Sequence, residues 1–192
     1  QVQMNVDAPL YGWLTHDMQI EPGAALECGR FIQPRVEPEI AFVTKSDLEG
    51  PQVGVTAVLA ATDFVCAAID VLDSRYSGYQ FTLPDVVADN ASAAGFVLAG
   101  TAVDPRGLDL RLLGTVLERN GVLASTAAGA AVMGHPAAAV AWLVRSLAAR
   151  GTGLPAGSIV LSGALTEAIA VSPGDTVTAR IDRLGTVEIA CR

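Results

Sequence analysis

A chain of 192 residues with 51% hydrophobic and 17% charged side chains is long enough to bury one ordinary core. Twelve Lys plus Arg against twenty Asp plus Glu leave a formal charge of −8. That balance excludes the basic footprint of a nucleic-acid binder, and an anionic ligand would be repelled unless something positive sits in its site. Cys28, Cys66 and Cys191 are odd in number and widely spaced, which fits neither a disulfide framework nor a CxxC metal site and points to a reducing cytoplasm. No apolar stretch reaches the ~18 residues of a membrane span, so no membrane partner is expected.

The opening tract, residues 1–6, reads as the middle of something, and an N-terminal segment is expected ahead of it. No repeat or linker interrupts the rest of the chain, so residues 1–192 read as one domain. Residues 36–43, 67–73, 95–98, 114–118, 158–161, 176–181 and 186–190 are rich in Val, Ile, Leu or Phe and have strand length. Between the first two, residues 56–65 predict a short helix with Thr56 as its cap. Asn120-Gly121 sits between apolar runs and predicts a two-residue hairpin turn, because this pair tolerates positive φ angles. After His135-Pro136 the period changes: Val140, Leu143, Val144 and Leu147 recur at helical spacing. Pro136 suits that helix's first turn, Arg145 and Arg150 complement its C-terminal dipole, and Gly151 can end it. Strands and helices without strict alternation predict an α+β fold.

Chemistry concentrates in two tracts. In a strand over 36–43, Glu37 and Glu39 project from one face while Val36, Ile40 and Phe42 project from the other. Their Cα atoms lie roughly 7 Å apart, so both carboxylates can reach one cation. Oxygen ligands of this kind select Mg²⁺ or Mn²⁺. The alternative is a solvated edge-strand face, which Pro38 would suit. Asp70 and Asp73 fall in or just after an apolar strand, where an ionised group is costly unless paired or metal-bound. Period two sends them to opposite faces, so one is free to bind a metal while the other pairs with Arg75 or caps the turn.

Arg35-Val-Glu-Pro-Glu-Ile-Ala-Phe42, Ile69-Asp-Val-Leu-Asp-Ser-Arg75, Val87-Ala-Asp-Asn-Ala-Ser92, Gly129-Ala-Ala-Val-Met-Gly-His-Pro136 and Leu161-Ser-Gly163 occur in one order along the chain. In that order the motifs resemble the hydratase/decarboxylase branch of the fumarylacetoacetate hydrolase superfamily, with likeness over residues 3–192. The resemblance implies a mixed β-sandwich or roll with a few helices and a site for Mg²⁺ or Mn²⁺ held by Glu37, Glu39 and Asp70. The third ligand is usually glutamate in this branch, so Asp70 is a departure that keeps charge and ligand type. Asp73-Ser-Arg-Tyr76, together with the tract 81–90, looks more like the decarboxylating members. Leu10 points the same way, since hydratases resemble P-D-F-G there and a leucine cannot exchange a proton.

The implied reaction is decarboxylation of 2-oxo-3-hexenedioate, a 2-oxo-dicarboxylate, to 2-hydroxypenta-2,4-dienoate in aromatic meta-cleavage catabolism. Two alternatives stay open: hydration of that product to 4-hydroxy-2-oxopentanoate, and a non-catalytic metal-binding subunit that pairs with a sister hydratase. Homo-oligomerisation is also expected. By the same resemblance, Ser162, the Gly163 amide and Leu10 lie near the substrate, and Arg75 either receives the departing carboxylate or braces Asp73. Asp89 and Asn90 orient ligands from behind or simply form a turn. The family places a lysine upstream of the region matching residues 3–18; Lys45, the chain's single lysine, follows the E-x-E strand and is not that residue. His135 before Pro136 reads as a helix cap, His16 as an exposed side chain, and 129–134 as a close-packing tract with no phosphate-loop spacing.

Overall fold

The computed structural model describes residues 9–192; the opening tract 1–6 and Ala8 lie outside them. Its elements in chain order are β1 (Ala25–Leu26), β2 (Arg35–Thr44), α1 (Val55–Ala61), β3 (Thr62–Leu72), α2 (Leu83–Ala88), β4 (Ala93–Leu98), β5 (Gly114–Arg119), β6 (Val122–Ala128), α3 (Pro136–Ala148), β7 (Ile159–Leu161), β8 (Ile169–Ala170), β9 (Thr176–Ile181) and β10 (Gly185–Cys191). They form the expected α+β sandwich: β4-β3-β2-β7, with β8 also on β2, faces a second sheet ordered β1-β10-β9-β5-β6. β1 runs parallel to β10 and the other ladders are antiparallel, so the fold is mixed. Between the sheets lie Val36, Ile40, Phe42, Val65, Ile69 and Val71 from one side, and Leu117, Val177, Ala179 and Ile189 from the other. Among the described residues, no helix is long and apolar enough to cross a membrane.

Period-two patterning decides the central pair. β2 and β3 run antiparallel with Glu37 opposite Asp70 and Phe42 opposite Val65. This buries Val36, Ile40 and Phe42 completely and sends the carboxylates to the opposite face. β2 is an interior strand, which overturns the solvated-edge reading. Pro38 falls between the stretches paired with β8 and β7. There β2 supplies acceptors instead of donors: Leu165 donates its N–H to the Pro38 carbonyl and Ser162 to that of Ile40. A residue without an N–H is tolerated in such a gap.

The hairpin turn forms as expected, with φ +55 at Asn120 and +73 at Gly121. α3 also forms as expected, with Pro136 in its first turn and Val140, Val144 and Leu147 buried. At its end Gly151 is left-handed (φ +73) and donates to the Ala148 carbonyl. The helix predicted over 56–65 is a correction. α1 stops at Ala61 and Gly54, not Thr56, caps it; residues from Thr62 on join the β3 ladder against β2, because pairing with a long partner strand outweighs local helix preference. The sequence reading missed α2 (Leu83–Ala88), although its start carries a signal. Asp85 accepts from both the N–H and the hydroxyl of Thr82, as a T-x-x-D start allows.

Candidate active site

Glu37, Glu39 and Asp70 are brought together by the β2–β3 register. Each offers a carboxylate oxygen, and these lie within 4.8 Å of one another. Glu39 is 3% exposed, and Glu37 and Asp70 are 9% exposed, so little water shields them. Burial, reinforced by the Asp70 charge, pushes Glu37 up to about 8. Burial and the neighbouring Asp70 and Glu37 charges raise Glu39 well above the usual carboxylate range. Burial pushes Asp70 up to about 7. Oδ1 of Asp70 is buried with no hydrogen-bond partner among the described residues. Three converging hard oxygen donors, one of them orphaned, and charges that repel when all are ionised make a donor set suited to a divalent cation.

One backbone group braces this set. The Gly163 N–H donates to Glu39 Oε2 at 2.6 Å, from a backbone with φ +105 that side-chain-bearing residues rarely adopt. The Gly163 amide, expected near the substrate, is aimed at the Glu39 carboxylate instead. Beside it, the Ser162 hydroxyl is buried and has no partner among the described residues, so it remains available as a donor or acceptor.

Two loops close the end of β3. Asp73 accepts the backbone N–H groups of Ile32 (3.0 and 2.9 Å) and Gln33 (2.7 Å). Arg75 does not brace Asp73; its guanidinium lies 2.9 Å from Asp89 Oδ1 and donates to the Asp89 carbonyl at 3.0 Å. The backbone carries Arg75 away from Asp73, whose oxygens are already filled by the N–H groups. Asp89 also accepts from the Ser74 hydroxyl at 3.0 Å and the Ser92 hydroxyl at 2.8 Å. Burial pulls Asp89 upward, but Ser92, Arg75 and Ser74 outweigh it and hold its carboxyl below the ordinary range. Asn90 accepts from the Trp13 N–H at 2.7 Å and donates to the Trp13 carbonyl at 2.9 Å. It thereby ties the segment after Leu10 to a left-handed run at Asn90, Ala91 and Ser92 (φ +54 to +60).

Leu10 itself is half-buried, next to Tyr11, whose ring meets Trp142 of α3 edge-on at 6.2 Å. His135 caps α3, its Nδ1 accepting the Ala137 N–H at 3.0 Å. Burial lowers its pKa, which suits an acceptor nitrogen. His16 is exposed. Gln33 was missed by the sequence reading. Its Nε2 donates to the carbonyls of Ser74 (2.8 Å) and Tyr76 (2.6 Å), and its Oε1 accepts from Gly78 (3.1 Å). The Tyr79 hydroxyl donates to the Gln33 carbonyl at 3.2 Å. No pattern in the sequence signals a hub whose partners lie more than forty residues away.

Known proteins share this architecture. The chain is 46% identical over 185 residues to a 4-oxalocrotonate decarboxylase of Pseudomonas sp. (strain CF600), covering 96% of this chain and 70% of that protein. It is 42% identical over 191 residues to a 2-hydroxyhexa-2,4-dienoate hydratase of Comamonas testosteroni, covering 98% and 72%. Its fold is similar to that of 4-oxalocrotonate decarboxylase from Pseudomonas putida G7 complexed with magnesium and adipate, with a TM-score of 0.95 and 41% identity over 100% of this chain and 73% of that one. The family model described as fumarylacetoacetate (FAA) hydrolase C-terminal matches residues 1–191. By sequence, fold and the placement of its acidic cluster, this chain belongs to the fumarylacetoacetate hydrolase family.

Proposed function

We propose that this protein catalyses the divalent-metal-dependent decarboxylation of 2-oxo-3-hexenedioate to 2-hydroxypenta-2,4-dienoate, in aromatic catabolism. The observation that carries the reading is the buried triad of Glu37, Glu39 and Asp70, with ligand oxygens within 4.8 Å of one another. It is supported by relatives named 4-oxalocrotonate decarboxylase and by the magnesium and adipate in the Pseudomonas putida G7 structure.

In this reading Glu37, Glu39 and Asp70 hold Mg²⁺ or Mn²⁺, and Gly163 fixes the orientation of Glu39. When bound, such an ion supplies Lewis-acid stabilisation of the negative charge that develops on the 2-oxo oxygen as CO₂ leaves. Ser162, whose buried hydroxyl has no partner among the described residues, orients the substrate's 1-carboxylate by a charge-assisted hydrogen bond, and Leu10 lines the site without exchanging protons. Asp73 and Arg75 are positioning residues: they hold the 31–34 and 74–79 loops through the contacts with Ile32, Gln33 and Asp89. We take residues 1–192 as one catalytic domain.

A second reading, hydration of 2-hydroxypenta-2,4-dienoate, is supported by relatives named hydratases at 42% identity. The third is a metal-binding partner subunit without its own chemistry. Purified full-length protein supplied with Mg²⁺ and 2-oxo-3-hexenedioate is expected to release CO₂. Conversion of 2-hydroxypenta-2,4-dienoate to 4-hydroxy-2-oxopentanoate without CO₂ release from the diacid would select the hydratase, and neither reaction would select the partner subunit. Association with a sister hydratase and with further copies is part of this proposal, supported by exposed Val122 and Leu123 at the β6 edge of the second sheet. So is a cytoplasmic setting, supported by the free state of Cys28, Cys66 and Cys191.

A further inference from the structure

We propose that Arg35 receives the second carboxylate of a dicarboxylate substrate and so selects diacids over monoacids at this site. The inference rests on the proposed function, in which the 2-oxo-acid end of the substrate lies at the carboxylate triad.

Strand parity supplies the placement. Arg35, Glu37 and Glu39 alternate with the core residues Val36 and Ile40 along β2, so the guanidinium starts from the same face as the triad, with Cα atoms of successive members roughly 7 Å apart. The Arg35 guanidinium carbon lies 4.1 Å from the centre of the Tyr79 ring, a stacking contact that holds the planar fork in one orientation. The ring is itself fixed. Tyr79 has a left-handed backbone (φ +59), its hydroxyl donates to the Gln33 carbonyl, and Gln33 grips Ser74, Tyr76 and Gly78. Tyr79 also bridges the two charge centres. Burial pushes its hydroxyl up to about 12, while the charge of Arg35 pulls it down and those of Asp73 and Glu37 raise it further.

Charge and position together single out Arg35: Arg30, Arg119, Arg145 and Arg150 also have no ion pair among the described residues, but none of them stands on β2 with the triad glutamates. Arg75, Arg106, Arg111, Arg180, Arg183 and Arg192 each face an acid, whereas Arg35 has no carboxylate partner among the described residues. Arg75, the sequence-level candidate for a departing carboxylate, is already neutralised by Asp89. A chain with a net charge of −8 and three acids at its site needs a cation facing a dianion, and Arg35 is half-buried, where a charge-assisted bidentate contact gains strength. A cation on the carboxylate that leaves as neutral CO₂ binds the ground state at least as well as the transition state. Arg35 therefore governs KM and specificity more than kcat.

The test is calorimetric titration of wild type, Arg35→Gln and Arg35→Lys, each with Mg²⁺, using adipate as a two-ended probe and oxalate as a probe of the 2-oxo-acid end alone. Arg35→Gln is expected to weaken adipate roughly 10- to 100-fold while oxalate changes less than about 2-fold. Arg35→Lys, which keeps the charge and loses the fork, falls between. In turnover, KM for 2-oxo-3-hexenedioate rises more than kcat falls. Equal weakening of adipate and oxalate would mark a merely structural role and overturn the proposal, as would unchanged adipate binding in either variant. Arg35-dependent adipate binding that ignores Mg²⁺ would count instead against the metal reading of the triad, which separates the two failures.

Discussion

Asp70 and Asp89 are both buried aspartates, yet their surroundings are opposites. Asp89 is enclosed by donors: the hydroxyls of Ser74 and Ser92 and the guanidinium of Arg75 hold it ionised and low. Asp70 faces Glu37 across the ladder, with Glu39 beside them and one oxygen left without a partner among the described residues. Burial raises it. An acid with its donors supplied by the chain stabilises the fold, whereas acids gathered with too few donors to offset their mutual repulsion are held in place by surrounding structure and await a charge from outside. The first kind is architecture; the second marks a binding site.

The comparison is broken most sharply by Glu39→Gln. It keeps size and strand compatibility but removes a ligand charge, so Mg²⁺ affinity is expected to fall by at least about 100-fold, and turnover with it. Metal-free stability should stay level or rise, because one of three repelling carboxylates is gone. Titration calorimetry and urea melts in EDTA read both effects; unchanged turnover at saturating Mg²⁺ would refute the site.

Asp89→Ala is expected to do the reverse. It strands Ser74, Ser92 and Arg75 and costs about 2–4 kcal/mol of stability in urea unfolding, and Mg²⁺ affinity changes less than in Glu39→Gln. A destabilisation below that range would mean that the hydroxyls and guanidinium find water readily, and that Asp89 is less structural than its contacts indicate.

The pH dependence sharpens the contrast. The folded values of Glu37 and Asp70 are raised from 4.5 to about 8 and from 3.8 to about 7. The folded metal-free protein therefore binds more protons than the unfolded chain between those limits. Stability from this source is fully present below pH 4 and is lost as pH rises through 7 to 8. Asp89, lowered on folding, contributes in the opposite direction and loses its stabilisation only in acid. Urea midpoints in EDTA are expected to fall between pH 5 and pH 8.5, and saturating Mg²⁺ should flatten or invert that slope. A flat metal-free profile would contradict the raised carboxylates.

The smallest expected effect is at Gly163→Ala. A side chain at φ +105 costs about 1 kcal/mol, and the displaced N–H loosens Glu39, lowering Mn²⁺ affinity up to about 10-fold. Equal Mn²⁺ affinity in a folded variant would show that Glu39 keeps its aim without the 2.6 Å contact.

Local chemistry was readable wherever one short segment carried the whole signal. The parity of Glu37 and Glu39, the Asn120-Gly121 turn and the stripe of Val140, Val144 and Leu147 needed nothing beyond their own neighbours. The helix predicted over 56–65 failed at its end because pairing with β2 claimed Thr62 onward for a strand. Arg75 was matched to the wrong acid for a related reason. Proximity in sequence suggested Asp73, but a turn and a helix bring Asp89 to it, while Asp73 is filled by loop N–H groups from the segment before β2.

By itself, then, the order of residues determined the strand and helix periods, the paired glutamates, and the motifs that carry the family likeness, since each is a property of a few consecutive positions. Tertiary structure alone decided that Asp70 stands opposite Glu37, that an amide 124 residues away aims Glu39, and that Arg35 is left without an acid among the described residues while Arg75 is not. Those outcomes depend on ladder register and loop closure, where the geometry of burial and charge is settled by segments that have no knowledge of each other until the two sheets pack.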